Sequence, residues 1–125
     1  MPGEGIKILL VDDEKHFADT LAARLEMRGF EVRVAYSGPE SLTAIAFRPA
    51  MVVLDLSMPG MDGLEVLRAL KQSNPEIQVI MLTGHADALE ERAAYQAGVH
   101  CVLRKPLNIE ELLKSISIAH QAKEN

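Results

Sequence analysis

Five short apolar runs, each separated from the next by a stretch of helical spacing, narrow the folds open to this chain. The runs are residues 6–11, 30–36, 51–54, 77–82 and 99–103. Between them, Phe17, Leu21 and Leu25 repeat at i, i+4 and i+8 until Gly29 stops the pattern. Ser37-Gly38-Pro39-Glu40 combines a cap, a first-turn proline and an acid, and opens a short helix ending before Pro49. Met58-Pro59-Gly60-Met61 fits a type II turn. Asp62 then caps a helix carrying Leu64, Leu67 and Leu70, which Asn74-Pro75 breaks. Asp87 and Glu90 form a capping-box pattern for a helix running to Gly98. Asn108 and Glu111 open a last helix with Ile109, Leu112, Leu113 and Ile116 on one face, and Ile118 opposite.

Strand and helix therefore alternate through the chain. Near-continuous apolar strands predict a parallel sheet covered on both faces, an α/β doubly wound fold with right-handed crossovers. Only residues 30–36 alternate like a half-exposed strand, which puts them at a sheet edge. The whole chain, 1–125, reads as one domain with its core over roughly residues 6–119. In open sheets of this kind ligands bind beyond the carboxyl ends of the strands.

Composition excludes several classes. A net charge of −5 with scattered Lys and Arg argues against direct nucleic-acid binding, and 4% aromatic residues are too few for a stacking platform. No apolar stretch approaches the ~20 residues of a membrane span. The first five residues lack the basic and apolar regions of a signal peptide, so a cytoplasmic location is the expectation. The single cysteine, Cys101, sits in an apolar run and reads as a buried packing residue. His16, His85, His100 and His120 show no metal-ligand spacing, although His85 lies close enough to Thr83 to overhang a site there.

The strand ends carry the chemistry. The first ends in Asp12-Asp13, the third in Asp55, the fourth in Thr83-Gly84 and the fifth in Lys105-Pro106. In a parallel sheet these side chains converge on one edge. Each has a plainer reading: Asp12 or Asp13 as a helix cap, Thr83 as a strand end, Lys105 as a solvated lysine. Together they are more specific. Three neighbouring carboxylates repel one another and call for a cation or a shifted protonation state. Mg²⁺ suits oxygen ligands and keeps waters for an incoming phosphate. Lys105 adds a positive charge and Thr83 a hydroxyl donor, so the set resembles a cradle for a phosphoryl group.

The segments ILLVDDE, VVLDLSMPGMDG, VIMLTGHAD and VLRKP, in that order, are similar to the motifs of the receiver domain of two-component response regulators. The resemblance implies a flavodoxin-like three-layer architecture with strand order 2-1-3-4-5. It makes Asp55 the phosphoacceptor, taking a phosphoryl group from a sensor histidine kinase or phosphotransfer protein. It makes Asp12, Asp13, Asp55 and the backbone carbonyl of Ser57 the Mg²⁺ ligands, with Lys105 and Thr83 on phosphoryl oxygens. The Lys105–Pro106 peptide is then expected to be cis, which proline makes accessible at ~0.5–1 kcal/mol. The resemblance further implies a signalling switch rather than an enzyme, one that can assist its own phosphorylation and dephosphorylation, acting on a downstream effector, with a phosphorylation-linked homodimer compatible with that role. Because few residues follow the last helix, the effector is expected to lie outside this sequence.

One departure stands out. Family members usually carry Tyr or Phe three positions before the lysine as a rotating switch, and here that position is Val102. Coupling is therefore expected to run through Thr83, residues 84–87 and the helix after them. Three competing readings fare worse. A flavin carrier needs a Ser/Thr/Gly-rich phosphate loop where this chain has Asp12-Asp13-Glu14. A decayed, unphosphorylated interaction module is at odds with the complete Asp, Asp, Asp, Thr and Lys set. A hydrolase lacks any substrate pocket in the pattern.

Overall fold

The computed structural model describes residues 3–85 and 87–124. The elements in order are β1 (Lys7–Val11), α1 (Lys15–Glu26), β2 (Glu31–Ala35), α2 (Gly38–Ala44), a 3-10 turn (Ile45–Phe47), β3 (Met51–Asp55), α3 (Gly63–Ser73), β4 (Gln78–Thr83), α4 (Ala88–Gln96), β5 (Cys101–Arg104) and α5 (Ile109–Glu124). The strands form one parallel sheet in the order β2-β1-β3-β4-β5, the order that the sequence resemblance implies. β2 is an edge strand with alternating exposure, as its polar alternation predicts.

The pleat divides the core. Ile8, Leu10, Met51, Val53, Ile80, Leu82 and Leu103 pack with α1 and α5 on one face. Leu9, Val11, Val52, Leu54, Val79 and Met81 pack with α3 and α4 on the other. Successive strand residues point to opposite faces, so both faces need apolar cover and the interiors of β1, β3 and β4 have no polar interruption, whereas the edge strand β2 carries Arg33 between Val32 and Val34. Each fully buried Leu or Ile contributes ~1.5–3 kcal/mol of burial.

Local signals account for the helix starts. Ser37 caps α2 with proline in its first turn. Asp62–Glu65 and Asp87–Glu90 form complete capping boxes, and Asn108 Oδ1 accepts the Glu111 N–H at 3.1 Å. Gly60 has φ 79°, the positive angle that a type II turn requires at its third residue.

Several expectations need correction. β5 begins at Cys101, not Val99, because the chain is still closing α4 there: the Val99 N–H bonds to Ala94 O at 3.1 Å, with Gly98 at φ 101°. Neither Asp12 nor Asp13 caps α1, whose N-cap is Glu14 without a side-chain cap. On α3 the buried face is Val66, Leu67 and Leu70, with Leu64 only half-buried. Cys101 is half-buried rather than buried.

Candidate functional site

The predicted residues converge at the carboxyl ends of β1, β3, β4 and β5. Asp55 continues the pleat of Met51 and Val53, on the α1/α5 side of the sheet, and is 3% exposed. Asp12 follows β1, held there by its N–H on Ala35 O at 3.1 Å, and is fully buried. Thr83 follows Val79 and Met81 in β4, so it lies on the opposite pleat from Asp55 and flanks the site from the α3/α4 side. Thr83 is fully buried. Lys105 lies just past β5, its N–H on Thr83 O at 2.8 Å. The Lys105–Pro106 peptide is cis.

Among the described residues, Asp12, Asp13 and Asp55 each place a carboxylate oxygen within 4.8 Å of the others. An all-carboxylate set of hard oxygen donors fits a divalent cation such as Mg²⁺. Lys105 Nζ lies 3.0 Å from Asp12 Oδ2, 2.9 Å from Glu14 Oε1 and 3.6 Å from Asp55 Oδ1. The Phe17 ring centroid is 4.4 Å from the same ammonium. Ser57 is exposed, and its N–H donates to Asp55 Oδ1 at 3.4 Å.

These charges shift one another. Burial pushes the Asp55 carboxyl up to about 6, and the neighbouring Asp12 charge adds to the shift, against the pull of Lys105 and the Ser57 N–H. For Lys105, burial pulls the ammonium down, but hydrogen bonds to Glu14 and Asp12 and the charge of Asp55 outweigh it, and the net shift is up. The lysine stays charged, and Asp55 carries the cost of its burial beside Asp12.

Thr83 Oγ1 accepts the His85 N–H at 3.1 Å, tying the β4–α4 loop to the site. The His85 side chain is exposed. Of the expected coupling loop, Ala86 lies outside the described residues. Val102 is half-buried and packs on the α3/α4 face. A cleft of about 420 Å³ beside the site is lined by residues that include Leu56, Ser57, Met58 and Glu90.

Two contributors escaped the sequence reading. In the sequence Glu14 is only one more acid of the β1–α1 loop, yet it holds Lys105 at 2.9 Å. Gly63 stood in a matched motif without a stated role. A Cβ there would come within 2.6 Å of both Asp55 O and Leu56 Cα, so only glycine lets α3 start this close behind the acceptor strand.

The family model of the response regulator receiver domain matches residues 8–117. Response regulator MprA of Mycobacterium bovis (strain BCG / Pasteur 1173P2) is 38% identical over 109 residues, covering 86% of this chain and 47% of that protein. The MprA of Mycolicibacterium vanbaalenii is 39% identical over the same shares. This chain thus spans about half the length of these curated relatives. Among solved structures, a CheY-like receiver domain protein from Methanospirillum hungatei JF-1 superposes with TM-score 0.91 at 30% identity, covering 95% of this chain and 96% of that one. A receiver domain from Clostridium thermocellum gives 0.90 at 34% identity, covering 95% and 97%.

Proposed function

The chain belongs to the response regulator receiver domains, the phosphorylation-dependent switches of two-component signalling, and on that premise we propose that Asp55 is its phosphoacceptor. The observation that carries the assignment is a buried carboxylate at the end of the central strand, grouped with two other acids and 3.6 Å from a lysine ammonium. An Asp55 oxygen attacks the phosphorus of a phosphohistidine on a sensor kinase or phosphotransfer protein. The P–N bond breaks, its electron pair stays on the imidazole, and an acyl phosphate forms on Asp55.

Asp12, Asp13, Asp55 and the Ser57 carbonyl hold Mg²⁺ in this proposal. The cation, when bound, offsets the charge of the acids and of the phosphoryl oxygens. Lys105 takes one phosphoryl oxygen. Thr83 donates its hydroxyl to another, and because Thr83 Oγ1 also holds the His85 N–H, any reorientation of that hydroxyl bears on the β4–α4 loop. Residues 1–125 act as a single domain in the cytoplasm, and their output passes to a downstream partner or domain, with a phosphorylation-linked homodimer as one form of the active state. Among the described residues no helix is long and apolar enough to cross a membrane.

The test is intact mass after incubation with acetyl phosphate and Mg²⁺. Wild type should gain one phosphate and Asp55→Asn none. Undiminished labelling of Asp55→Asn would sink the assignment.

A further inference from the structure

Glu14 is outside the group of three acids, yet it makes the shortest contact to Lys105, 2.9 Å from Oε1 to Nζ. Its backbone takes part as well: the Glu14 N–H donates to Asp12 Oδ1 at 2.9 Å, while Asp12 Oδ2 accepts from Lys105 at 3.0 Å. A closed ring results, running Glu14 N, Asp12, Lys105 Nζ, Glu14 Oε1. A lysine ammonium has three N–H donors. Here two are committed on the β1–α1 side, while Asp55 Oδ1 lies farther away, 3.6 Å from the ammonium.

We propose that Glu14 is a positioning residue for Lys105: it holds the ammonium on the β1–α1 side of the site and competes with the phosphoryl group on Asp55 for it. The proposal rests on the phosphoacceptor reading above. A cation held by the three acids would compete with Lys105 for Asp12 and so loosen one of its two ties. Glu14, not one of those acids, remains as the other. A phosphoryl oxygen on Asp55 would draw on the same ammonium through its third N–H, and the 2.9 Å contact with Glu14 pulls that ammonium toward the β1–α1 side and away from it. The Glu14 side chain is 63% exposed against 15% for Lys105, so water readily replaces the lysine as its partner. Glu14 therefore tunes the switch and does not lock it. The expected effect is that of an exposed ion pair, about 2- to 5-fold in the affinity of the site for a phosphoryl mimic.

A plain electrostatic role would also make Glu14 oppose an anion. Glu14→Asp separates the two, because it keeps the charge but shortens the reach by one methylene. Two measurements apply to wild type, Glu14→Gln and Glu14→Asp. One is the affinity for beryllofluoride with Mg²⁺. The other is the ¹⁵N resonance of the Lys105 ammonium in metal-free protein, assigned through Lys105→Arg. The expected result is tighter beryllofluoride binding in both variants, with a displaced Lys105 resonance in both. Tighter binding in Glu14→Gln alone, with Glu14→Asp like wild type, reduces Glu14 to a diffuse charge and overturns the proposal. An unmoved Lys105 resonance in Glu14→Gln overturns it too. If wild type binds no beryllofluoride at all, the phosphoacceptor reading fails and takes the competition with it, whereas the other failures leave that reading standing.

Discussion

Asp55 keeps a carboxylate where the strand behind it supplies only apolar neighbours and two further acids stand alongside. In the folded, metal-free protein its pKa is raised from the ordinary 3.8 to about 6. The native state therefore holds the proton more tightly than the unfolded chain, and stability falls as pH rises between those values. Above pH 6 the whole cost is present, at most ~3 kcal/mol. Asp55→Asn should thus be more stable than wild type at pH 7.5 in chelator, and its advantage should shrink as pH drops through 6 toward 4. Urea titrations across that range provide the check, and a pH-independent difference would contradict the origin in ionisation. Gly63 sits at the same spot from behind. Gly63→Ala should destabilise by about 1–3 kcal/mol through overpacking on the Asp55–Leu56 backbone, and it should slow labelling of Asp55. An alanine variant with wild-type urea midpoint would mean that α3 shifts freely. Asp12, Asp13, Asp55, Thr83 and Lys105 were readable in the sequence because parallel strand ends must meet at one edge. Glu14 on Lys105 was not, since a rotamer choice across 91 positions leaves no local pattern.

Helix α4 has contacts at both ends, with the loop after β4 and with β5. At its N-terminal end, the His85 N–H on Thr83 Oγ1 links the preceding loop to the end of β4. Farther along, Tyr95 Oη accepts the Val102 N–H at 3.2 Å, and Glu91 pairs with Arg104 at 2.6 Å. β5 pairs only with β4, so alternate N–H groups face its free edge, and Tyr95 covers one of them. The Val102 side chain is too small to carry a signal by rotating. At ~25 cal/mol per Å² its extra burial supplies a fraction of a kcal/mol, against the ~5 kcal/mol needed to invert a population. Val102→Ala should therefore leave both labelling and the α4 response intact. Tyr95→Phe should keep labelling but cost roughly 0.5 kcal/mol and move the amide resonances of Val102 and α4 before any phosphate is added. Heteronuclear NMR of both variants, with and without phosphodonor, decides between them. Silence of α4 in phosphorylated Val102→Ala would restore residue 102 as the relay. Capping signals marked the helix starts well, because Asp62–Glu65 and Asp87–Glu90 are local chemistry. The start of β5 was misplaced because a hydrogen bond closing α4, Val99 to Ala94, claims residues whose apolar character also suits a strand.

For the molecule as a whole, an apolar sheet covered on both faces supports a polar edge that works against folding. The sequence conveyed this division well: the apolar runs of β1, β3 and β4 specify a two-sided core, and Asp12, Asp13 and Asp55 stand at the carboxyl ends of β1 and β3. The strain at that edge is local, so a ligand bound only by the native state can relieve it and stabilise the entire cooperative unit by mass action. Mg²⁺ should raise the unfolding free energy in proportion to the logarithm of its concentration, reaching about 2.7 kcal/mol at a hundredfold excess over Kd. Chelator should remove the gain. Removing a ligand charge, as in Asp13→Asn, should weaken the concentration dependence while leaving the fold intact, since Asp13 is only half-buried. General screening of a net charge of −5 would also stabilise the protein at higher salt, so the comparison is thermal melting in MgCl₂ against NaCl at equal ionic strength. A larger shift in MgCl₂ that depends on Asp13 places the effect at the three acids. Equal shifts in the two salts, or an undiminished magnesium effect in Asp13→Asn, would mean that the edge cluster holds no specific cation and that its repulsion is relieved by protonation and Lys105 alone.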